Sequence, residues 1–569
     1  MCGIFGIYSK KLKTRKISRL CQKSISSLSH RGPDDCGSWV GENIGLAQTR
    51  LSILDVKNGK QPMESLNNRY LIIYNGEIVN HQNLRSILKK NQIKLSTKNS
   101  DTETVLELYS LLNYKMLNKL NGMFAISIFD KKNKEIFLAR DSVGIKPLYY
   151  YHDKDHFAFS SEIKTLSKIL DKKLIIDKKK LFEFLIHGNI IGEKTIYKNI
   201  FQLEPGSFLK FKDKKIKIRY FNNIENKNKI KNIKTSQLKT SLNKIVKEWT
   251  ISDVGISSLL SGGLDSGLVS KIASKYNSKI NLFTAYYPNK KAALNTDLKL
   301  SKITAKTIKK KSHYFIRING NQIKQNLERY VHHTLEPVND LNTLTLMEIC
   351  KKIKKLKNNK VLLTGDGADE VFGGYSRHYT IFKKYLISNK SEDIIMANNY
   401  LSAQKLKTLC KFNYKISKYR SNIFNKINSN DDKINTILKY DQKTFLRGYL
   451  DRLDKVGMMY SLEIRPPFLD TRLINLVNKV GSTKKILQKK NKVIWYKHLL
   501  RKLAVNTIPK KVIWNKTKYQ FFFPAYSLFK DQKYKKVVDF YFNKQSKIKK
   551  YFKYLQIKKL VVNHRIGIS

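Results

Sequence analysis

Cys2, directly after the initiator methionine in MCGIFGIYSKK, is the first residue whose type and place suggest chemistry. Cysteine is small enough here for Met1 to be removed, which would leave a nucleophile and a base on one residue. A thiol titrates near about 8.5 and an α-amine near about 7.7–8.0, so the amine can take the thiol proton around neutrality without a separate histidine. Downstream, His30-Arg31-Gly32-Pro33-Asp34 is a dense turn motif, and Arg50 stands in Gln48-Thr49-Arg50-Leu51-Ser52-Ile53 after an apolar run. Asn75-Gly76-Glu77 ends a strand pattern, and Ser100-Asp101-Thr102-Glu103 opens a helix with an acidic cap. Cleaving an amide carried by an amino acid requires a cation for the α-carboxylate, anions for the α-ammonium and donors for the oxyanion. Arg50 can form a bidentate pair with a carboxylate. Glu77 and Asp101 can bind an ammonium. The Asn75 amide and the Gly76 N–H can form an oxyanion hole, worth about 3 kcal/mol per donor.

A second set of residues lies in the other half of the chain. Leu259-Leu260-Ser261-Gly262-Gly263-Leu264-Asp265-Ser266 falls between a strand pattern and a helix pattern. Its glycines let backbone N–H groups approach an anion at a helix N-terminus. No Gly-Lys-Ser/Thr closes the loop and the G-x-G-x-x-G spacing is missing, so neither a kinase-type phosphate loop nor a dinucleotide fingerprint is indicated. Asp265 would suit a Mg²⁺ ion bridging phosphates. Thr364-Gly365-Asp366-Gly367-Ala368-Asp369-Glu370 follows the strand pattern KVLL. Its carboxylates are costly together unless they meet a cation or water, and their spacing does not fit a calcium loop. The adjacent pair His332-His333 has no Cys or His at ligand spacing, so it predicts no metal site.

The elements that must position these groups change character along the chain. Residues 2–212 read as short strand patterns (GIFGIY, RYLIIYNGE, MFAISIFD, EIFLAR, HFAFSS) interrupted by helices such as ETVLELYSLLNY, a strand-rich α+β domain. Residues 213–236 are polar, without apolar periodicity, and read as a linker. From 237 to 569 strand patterns alternate with helices (VGISSLL, GLVSKIASKY; INLFTAYY, LKLSKITAKTI; NKVLLTGDG, DEVFGGY), which predicts a parallel α/β sheet, and after 375 the chain reads as mostly helical. The 569 residues are 41% hydrophobic, ample for cores, and at roughly 100–200 residues per domain they suggest two to four domains. Lys+Arg number 111 against 44 Asp+Glu, a formal charge of +67. The lysines are dispersed and travel with Asn, Ile, Tyr and Phe, as drift toward A/T-rich codons produces. They predict solvated faces and no specific nucleic-acid partner. Five cysteines do not make a disulfide scaffold. No stretch approaches the roughly 20 apolar residues of a membrane span, and no signal-peptide pattern opens the chain. A soluble, cytoplasmic protein is the expectation.

Taken in order, MCGIFG, HRGPD, RLSI, NGE and SDTE resemble the class II glutamine amidotransferase domain, an N-terminal-nucleophile hydrolase of four-layer αββα form. The resemblance implies that Cys2 attacks the glutamine side-chain amide and releases ammonia and glutamate through a thioester. Arg50, Leu51, Ser52, Ile53, Leu54, Asn75, Gly76, Glu77 and Asp101 would then surround the glutamine. SGGLDS resembles the pyrophosphatase loop of ATP pyrophosphatases, which bind at the carboxyl ends of parallel strands. With GDGADEVFGGY and SLEIRPPFLD added, the chain from Cys2 to about His564 resembles the glutamine-hydrolysing asparagine synthetases.

That resemblance implies a second site in which ATP adenylates aspartate and ammonia displaces AMP. Leu259, Ala285, Thr364 and Gly365 would line the nucleotide. Ser261, Gly262, Gly263, Leu264, Asp265 and Ser266 would hold its phosphates, Asp265 and Asp369 would lie near Mg²⁺, and Lys518 would offset pyrophosphate charge. Asp366 would be the base, although some members have Glu there. Ala285 is smaller than the usual branched residue, Gln520 replaces a usual Gly, and the chain stops at NHRIGIS where many members continue. A homodimer is the family expectation. One alternative is a relative that amidates another carboxylate, such as a sugar acid or a secondary-metabolite precursor. The other, a basic nucleic-acid-binding protein, explains the charge but none of the ordered motifs.

Overall fold

The computed structural model describes residues 2–221, 224, 232–286, 292–308, 312–318, 323–356, 358–388, 390–396, 399–411, 418–427, 432–488, 494–515, 543 and 546–565. In the first domain the strands are β1 (Cys2–Ser9), β2 (Asp35–Val40), β3 (Ile44–Arg50), β4 (Met63–Glu64), β5 (Tyr70–Ile78), β6 (Gly122–Asp130), β7 (Glu135–Arg140), β8 (Tyr149–His152), β9 (His156–Ser160), β10 (Phe201–Gln202), β11 (Ser207–Lys212) and β12 (Lys215–Tyr220). They form two antiparallel sheets, β10-β8-β9-β1-β3-β2 and β12-β11-β7-β6-β5-β4.

The side-chain alternation of the strands explains how the sheets stack. In β1, Ile4 joins the core between the sheets, together with Ile44 and Leu46 of β3 and Leu71 and Ile73 of β5. Phe5 and Ile7 face the other way, onto helices α1 (Thr14–Leu28) and α4 (Ile163–Leu170) through Ile17, Leu20 and Leu166. Tyr70, Ile72 and Tyr74 of β5 pack beneath α2 (His81–Lys90) and α3 (Asp101–Leu112) through Leu84, Leu88 and Val105. The order is helix, sheet, sheet, helix. Because Cys2, Arg50, Asn75 and Glu77 share the parity of Ile4, Leu46 and Ile73, the pleat turns all four onto the facing inner surfaces.

The last helix of the first domain is α5 (Lys178–His187), and the second domain opens on α6 (Thr235–Trp249). The second sheet is parallel, built from β13 (Gly255–Leu259), β14 (Asn281–Tyr286), β15 (His313–Arg317), β16 (Asn359–Leu363) and β17 (Glu463–Arg465) in the order β15-β14-β13-β16-β17. The chain runs outward from β13 to β15, then returns to lay β16 on the other side of β13. That reversal is a topological switch point, where open α/β sheets place ligands. The SGGLDS loop leaves β13 there and opens α7 (Leu264–Tyr276), and TGDGADE leaves β16 beside it. A Cβ on Gly365 would stand 2.8 Å from Ser266 N and 2.9 Å from Asp265 Cβ, so the two loops touch through a glycine.

One expectation is corrected. The segment 215–220 is not linker, because β12 pairs with β11 along its whole length, from Ser207↔Tyr220 to Lys212↔Lys215. Its K-I-K-I-R-Y alternation is that of a sheet edge guarded by cations. The segment after 375 is mostly helical, as expected, and its short strands include the three-residue β17, too short for any periodicity to announce. The domains share a core: Leu51, Ile53, Val79, Met123 and Ile145 cluster with side chains of the parallel domain. No helix among the described residues is long and apolar enough to cross a membrane.

Candidate active site

Cys2 lies at the end of β1, buried, opposite Arg50 of β3. Its N–H donates to Asn75 Oδ1 at 3.0 Å, and its carbonyl accepts from Arg31 Nε at 3.1 Å. With Oδ1 occupied, the other end of the Asn75 amide is fixed, and Nδ2 is buried without a hydrogen-bond partner. A buried donor left unpaired costs about 1–3 kcal/mol, so such an atom beside a thiol points to a ligand acceptor.

Gly76 supplies a second donor through sheet geometry. Phe124 of β6 bonds Asp141 on its β7 side, through its N–H (to Oδ2, 3.2 Å) and its carbonyl (from Asp141 N, 2.9 Å). Gly76, the β5 partner of Phe124, therefore turns its N–H away from β6. The neighbouring N–H groups on that edge are taken, Tyr74 by Gln61 Oε1 (2.7 Å) and Ile78 by Asp101 Oδ2 (3.1 Å). A Cβ on Gly76 would fall 2.3 Å from the Met123 carbonyl, so glycine is required.

The expected substrate-binding residues divide into two groups. Arg50 donates to the carbonyls of Leu54 (3.0 Å), Asp55 (2.8 Å) and Val56 (2.9 Å). That uses three of its five N–H donors, both of Nη2 among them, fixes the guanidinium in place and leaves Nε–H and one Nη1–H for a carboxylate. Ser52 N–H donates to Asp34 Oδ2 at 2.7 Å, while the Leu51 and Ile53 side chains belong to the shared core and leave only backbone for a ligand. Asp101 Oδ2 accepts from the Tyr74 hydroxyl at 3.0 Å as well as from Ile78. Glu77 is paired with a residue of the other domain, Arg465, whose Nη2 is 3.1 Å from Oε2. Burial nevertheless pushes the Glu77 carboxyl well above its ordinary range, against the pull of Arg465.

Neither Arg465, within SLEIRPPFLD, nor Asp454 stands out in the sequence as a site residue. Asp454 is a buried carboxylate that accepts from Arg31 Nη2 at 2.9 Å and Lys146 Nζ at 3.4 Å, both from the first domain. Arg465, also buried, donates through Nη1 to the carbonyls of Trp249 (3.0 Å) and Ile251 (2.7 Å) and pairs with Glu463. Its own carbonyl accepts from Thr364 N–H at 3.0 Å. One residue thus touches Glu77 beside the cysteine and the first residue of the acidic loop.

In the parallel domain, Ser261 N–H donates to Ser266 Oγ at 3.1 Å, and the two hydroxyls are 2.9 Å apart. Gly262 has φ +85°, and a Cβ there would lie 2.2 Å from the Asp297 carbonyl, so only glycine makes the turn. A Cβ on Gly263, by contrast, would meet only Ser261 Oγ at 3.5 Å, leaving an open face above the first turn of α7. Leu259 and Ala285 stand at neighbouring strand ends, half-buried against the core. Thr364 Oγ1 is buried without a partner.

The two carboxylates expected near a metal are joined by a lysine that the sequence did not single out. Lys497 Nζ pairs with Asp265 Oδ2 and lies 2.8 Å from Asp369 Oδ1. Burial opposes its charge, but the two acids hold its pKa above the ordinary lysine value. Asp265 Oδ1 is buried without a partner, so the pair fits a divalent cation with an oxygen to spare. Asp366 Oδ1 is 3.6 Å from Arg452 Nη2. Glu370, which accepts from the Tyr375 hydroxyl at 2.8 Å, is pushed up to about 7 by burial and by Asp369. Lys518 and Gln520 lie outside the described residues.

A cysteine set between αββα layers and a phosphate cradle at a parallel-sheet switch point define a two-domain amidotransferase. The comparisons agree. Residues 1–222 match the glutamine amidotransferase domain family, and residues 237–567 match the asparagine synthase family. The chain is 30% identical over 564 residues to glutamine-hydrolyzing asparagine synthetase 1 of Bacillus subtilis, covering 90% of this chain and 85% of that one. It is 27% identical over 544 residues to asparagine synthetase 3 of the same organism, covering 91% and 86%. It is 32% identical over 435 residues to a putative asparagine synthetase 2 of Methanocaldococcus jannaschii, covering 71% and 81%. The chain belongs to the glutamine-hydrolysing asparagine synthetase family.

Proposed function

We propose that this protein makes asparagine from aspartate, with glutamine as nitrogen donor and ATP as activating substrate. The observation that carries the reading is the unpaired Asn75 Nδ2 beside Cys2, on a face shared with Arg50 and the free-edge N–H of Gly76. In the first site the Cys2 thiolate attacks the glutamine amide carbon. Its own α-amine takes the thiol proton and passes it to the leaving nitrogen. Asn75 Nδ2 and Gly76 N–H receive the oxyanion, Arg50 receives the α-carboxylate, and Asp101 and Glu77 face the α-ammonium. Water then hydrolyses the thioester to glutamate.

In the second site the aspartate side-chain carboxylate attacks the α-phosphorus of ATP, and pyrophosphate leaves over the Ser261–Ser266 loop. Asp265 and Asp369 would hold a Mg²⁺ ion, which would offset phosphate charge when bound, and Lys497 pairs with both acids. Ammonia attacks the acyl carbon, Asp366 takes the proton released by the new nitrogen, and AMP departs. The test is AMP release by the full chain and by Cys2→Ala. The variant should lose glutamine-driven synthesis and keep ammonia-driven synthesis with aspartate. Full glutamine activity in Cys2→Ala, or AMP release with other acids and not with aspartate, would overturn the reading.

A further inference from the structure

Beside the Cys2 site, where the domains meet, three metal-ligating side chains from separate stretches converge. His30 and Glu162 come from the first domain, and His333 comes from the helix Ile323–Thr334 of the second. One ligand atom from each lies within 4.8 Å of the other two. His30 Nε2 is 2.8 Å from Glu162 Oε1, and the His30 and His333 rings meet edge to face with centroids 4.2 Å apart. Arg31 Nη1, 3.3 Å away, shares Glu162 Oε1. The remaining carboxylate oxygen, Oε2, and His333 Nε2 are both buried and lack a hydrogen-bond partner. Two buried polar atoms left unpaired in one small cluster call for a partner, and one ion could serve both.

We propose that His30, Glu162 and His333 form a site for a divalent transition-metal ion of the zinc class that bridges the two domains and leaves a fourth position open. Two imidazoles and one carboxylate are the ligand set of a borderline-soft ion, whereas Mg²⁺ and Ca²⁺ take oxygen shells. Tetrahedral ligands at about 2.1 Å from the metal stand about 3.4 Å apart, so modest side-chain rotations close the present spacing. Arg31, holding Oε1, orients the carboxylate so that Oε2 is the ligand. The His30 carbonyl accepts from Ser461 Oγ at 2.8 Å, which fixes the motif against the second domain. Arg31 also donates to the Cys2 carbonyl, which places occupancy of the site one side chain from the nucleophile.

The site is independent of the reaction proposed above. Its test uses the full chain carrying Cys36→Ser, which removes the exposed thiol, stripped of metal and titrated with Co²⁺ in the absence of substrates. One Co²⁺ per chain with the visible bands of tetrahedral coordination, displaced by Zn²⁺, is expected. Removing second-shell partners of metal ligands typically costs about 10–100-fold in affinity, so His333→Gln, which removes a ligand, should weaken Co²⁺ binding by about 100-fold or more. X-ray absorption of the Zn²⁺-loaded parent, which needs no variant to fold, should show two imidazoles and oxygen. Absence of the bands, unchanged binding in a folded His333→Gln, or a shell containing sulfur or only oxygen would overturn the proposal.

Discussion

Replacing Asn75 by alanine removes two interactions of different kinds. One is the bond from Cys2 N–H to Oδ1 at 3.0 Å, which positions the residue that attacks. A neutral hydrogen bond of this sort is worth about 1 kcal/mol net. The other is the Nδ2 donor, unpaired in the free protein and therefore available in full to the developing oxyanion. Loss of one such donor costs about 2.7–4 kcal/mol, because water in the site does not reproduce its orientation. Together they place the loss in glutaminase kcat at roughly 10³-fold or somewhat more. Asn75→Asp keeps the acceptor for Cys2 N–H but sets a carboxylate against the oxyanion, so it should be at least as damaging. The assay is glutamate release under saturating glutamine, alongside AMP release driven by ammonia, which should stay near normal. A glutaminase loss below tenfold, or an equal loss of both activities, would refute the assignment of Nδ2 to the oxyanion.

The other predictions concern separate parts of the two sites. Arg50→Lys keeps a charge but not the fork held by the carbonyls of residues 54–56, so the glutamine KM should rise while ammonia-driven synthesis is spared; equal loss with both nitrogen sources would mean a folding defect. Asp366→Asn should still exchange pyrophosphate into ATP with aspartate present, while amide formation falls by roughly 10²–10⁴-fold; loss of both would remove Asp366 from the role of base. Burial and the neighbouring Asp369 push the Glu370 carboxyl up from an ordinary 4.5 to about 7, so it takes up a proton on folding between those values. Its contribution to stability is fully present below pH 4.5 and is lost as the pH rises through 7. Glu370→Gln should flatten that part of the stability profile in denaturant titrations at several pH values, and an unchanged profile would contradict the shift.

Much of both sites was legible because it is local. The proposed oxyanion hole, a side chain and the next N–H at Asn75-Gly76, and the proposed phosphate cradle, consecutive backbone groups at Ser261–Ser266, are contiguous strings. The strand patterns gave a strand-rich α+β domain and the family resemblance implied its αββα layers, while the common face of Cys2, Arg50, Asn75 and Glu77 follows from the observed register. The parallel sheet was legible from the alternation of strand and helix patterns. Two elements were not. β17 is three residues long, and β12 reads as solvated lysine until β11 supplies its partner.

The pairs that join the halves were invisible in the sequence because nothing local selects them. Arg31 and Asp454 are 423 residues apart, and Lys146 and Asp454 are 308. Lys497 is one cation among 111 Lys and Arg, distinguished only by burial between Asp265 and Asp369. His333 had no ligand at any regular spacing, yet docking of the domains sets it against His30 and Glu162. The sequence by itself determined the loops and layers, whose physics acts over a few residues. Only the tertiary structure decided which buried charges meet, because the cost of leaving a charge unpaired depends on what the rest of the chain brings to its side.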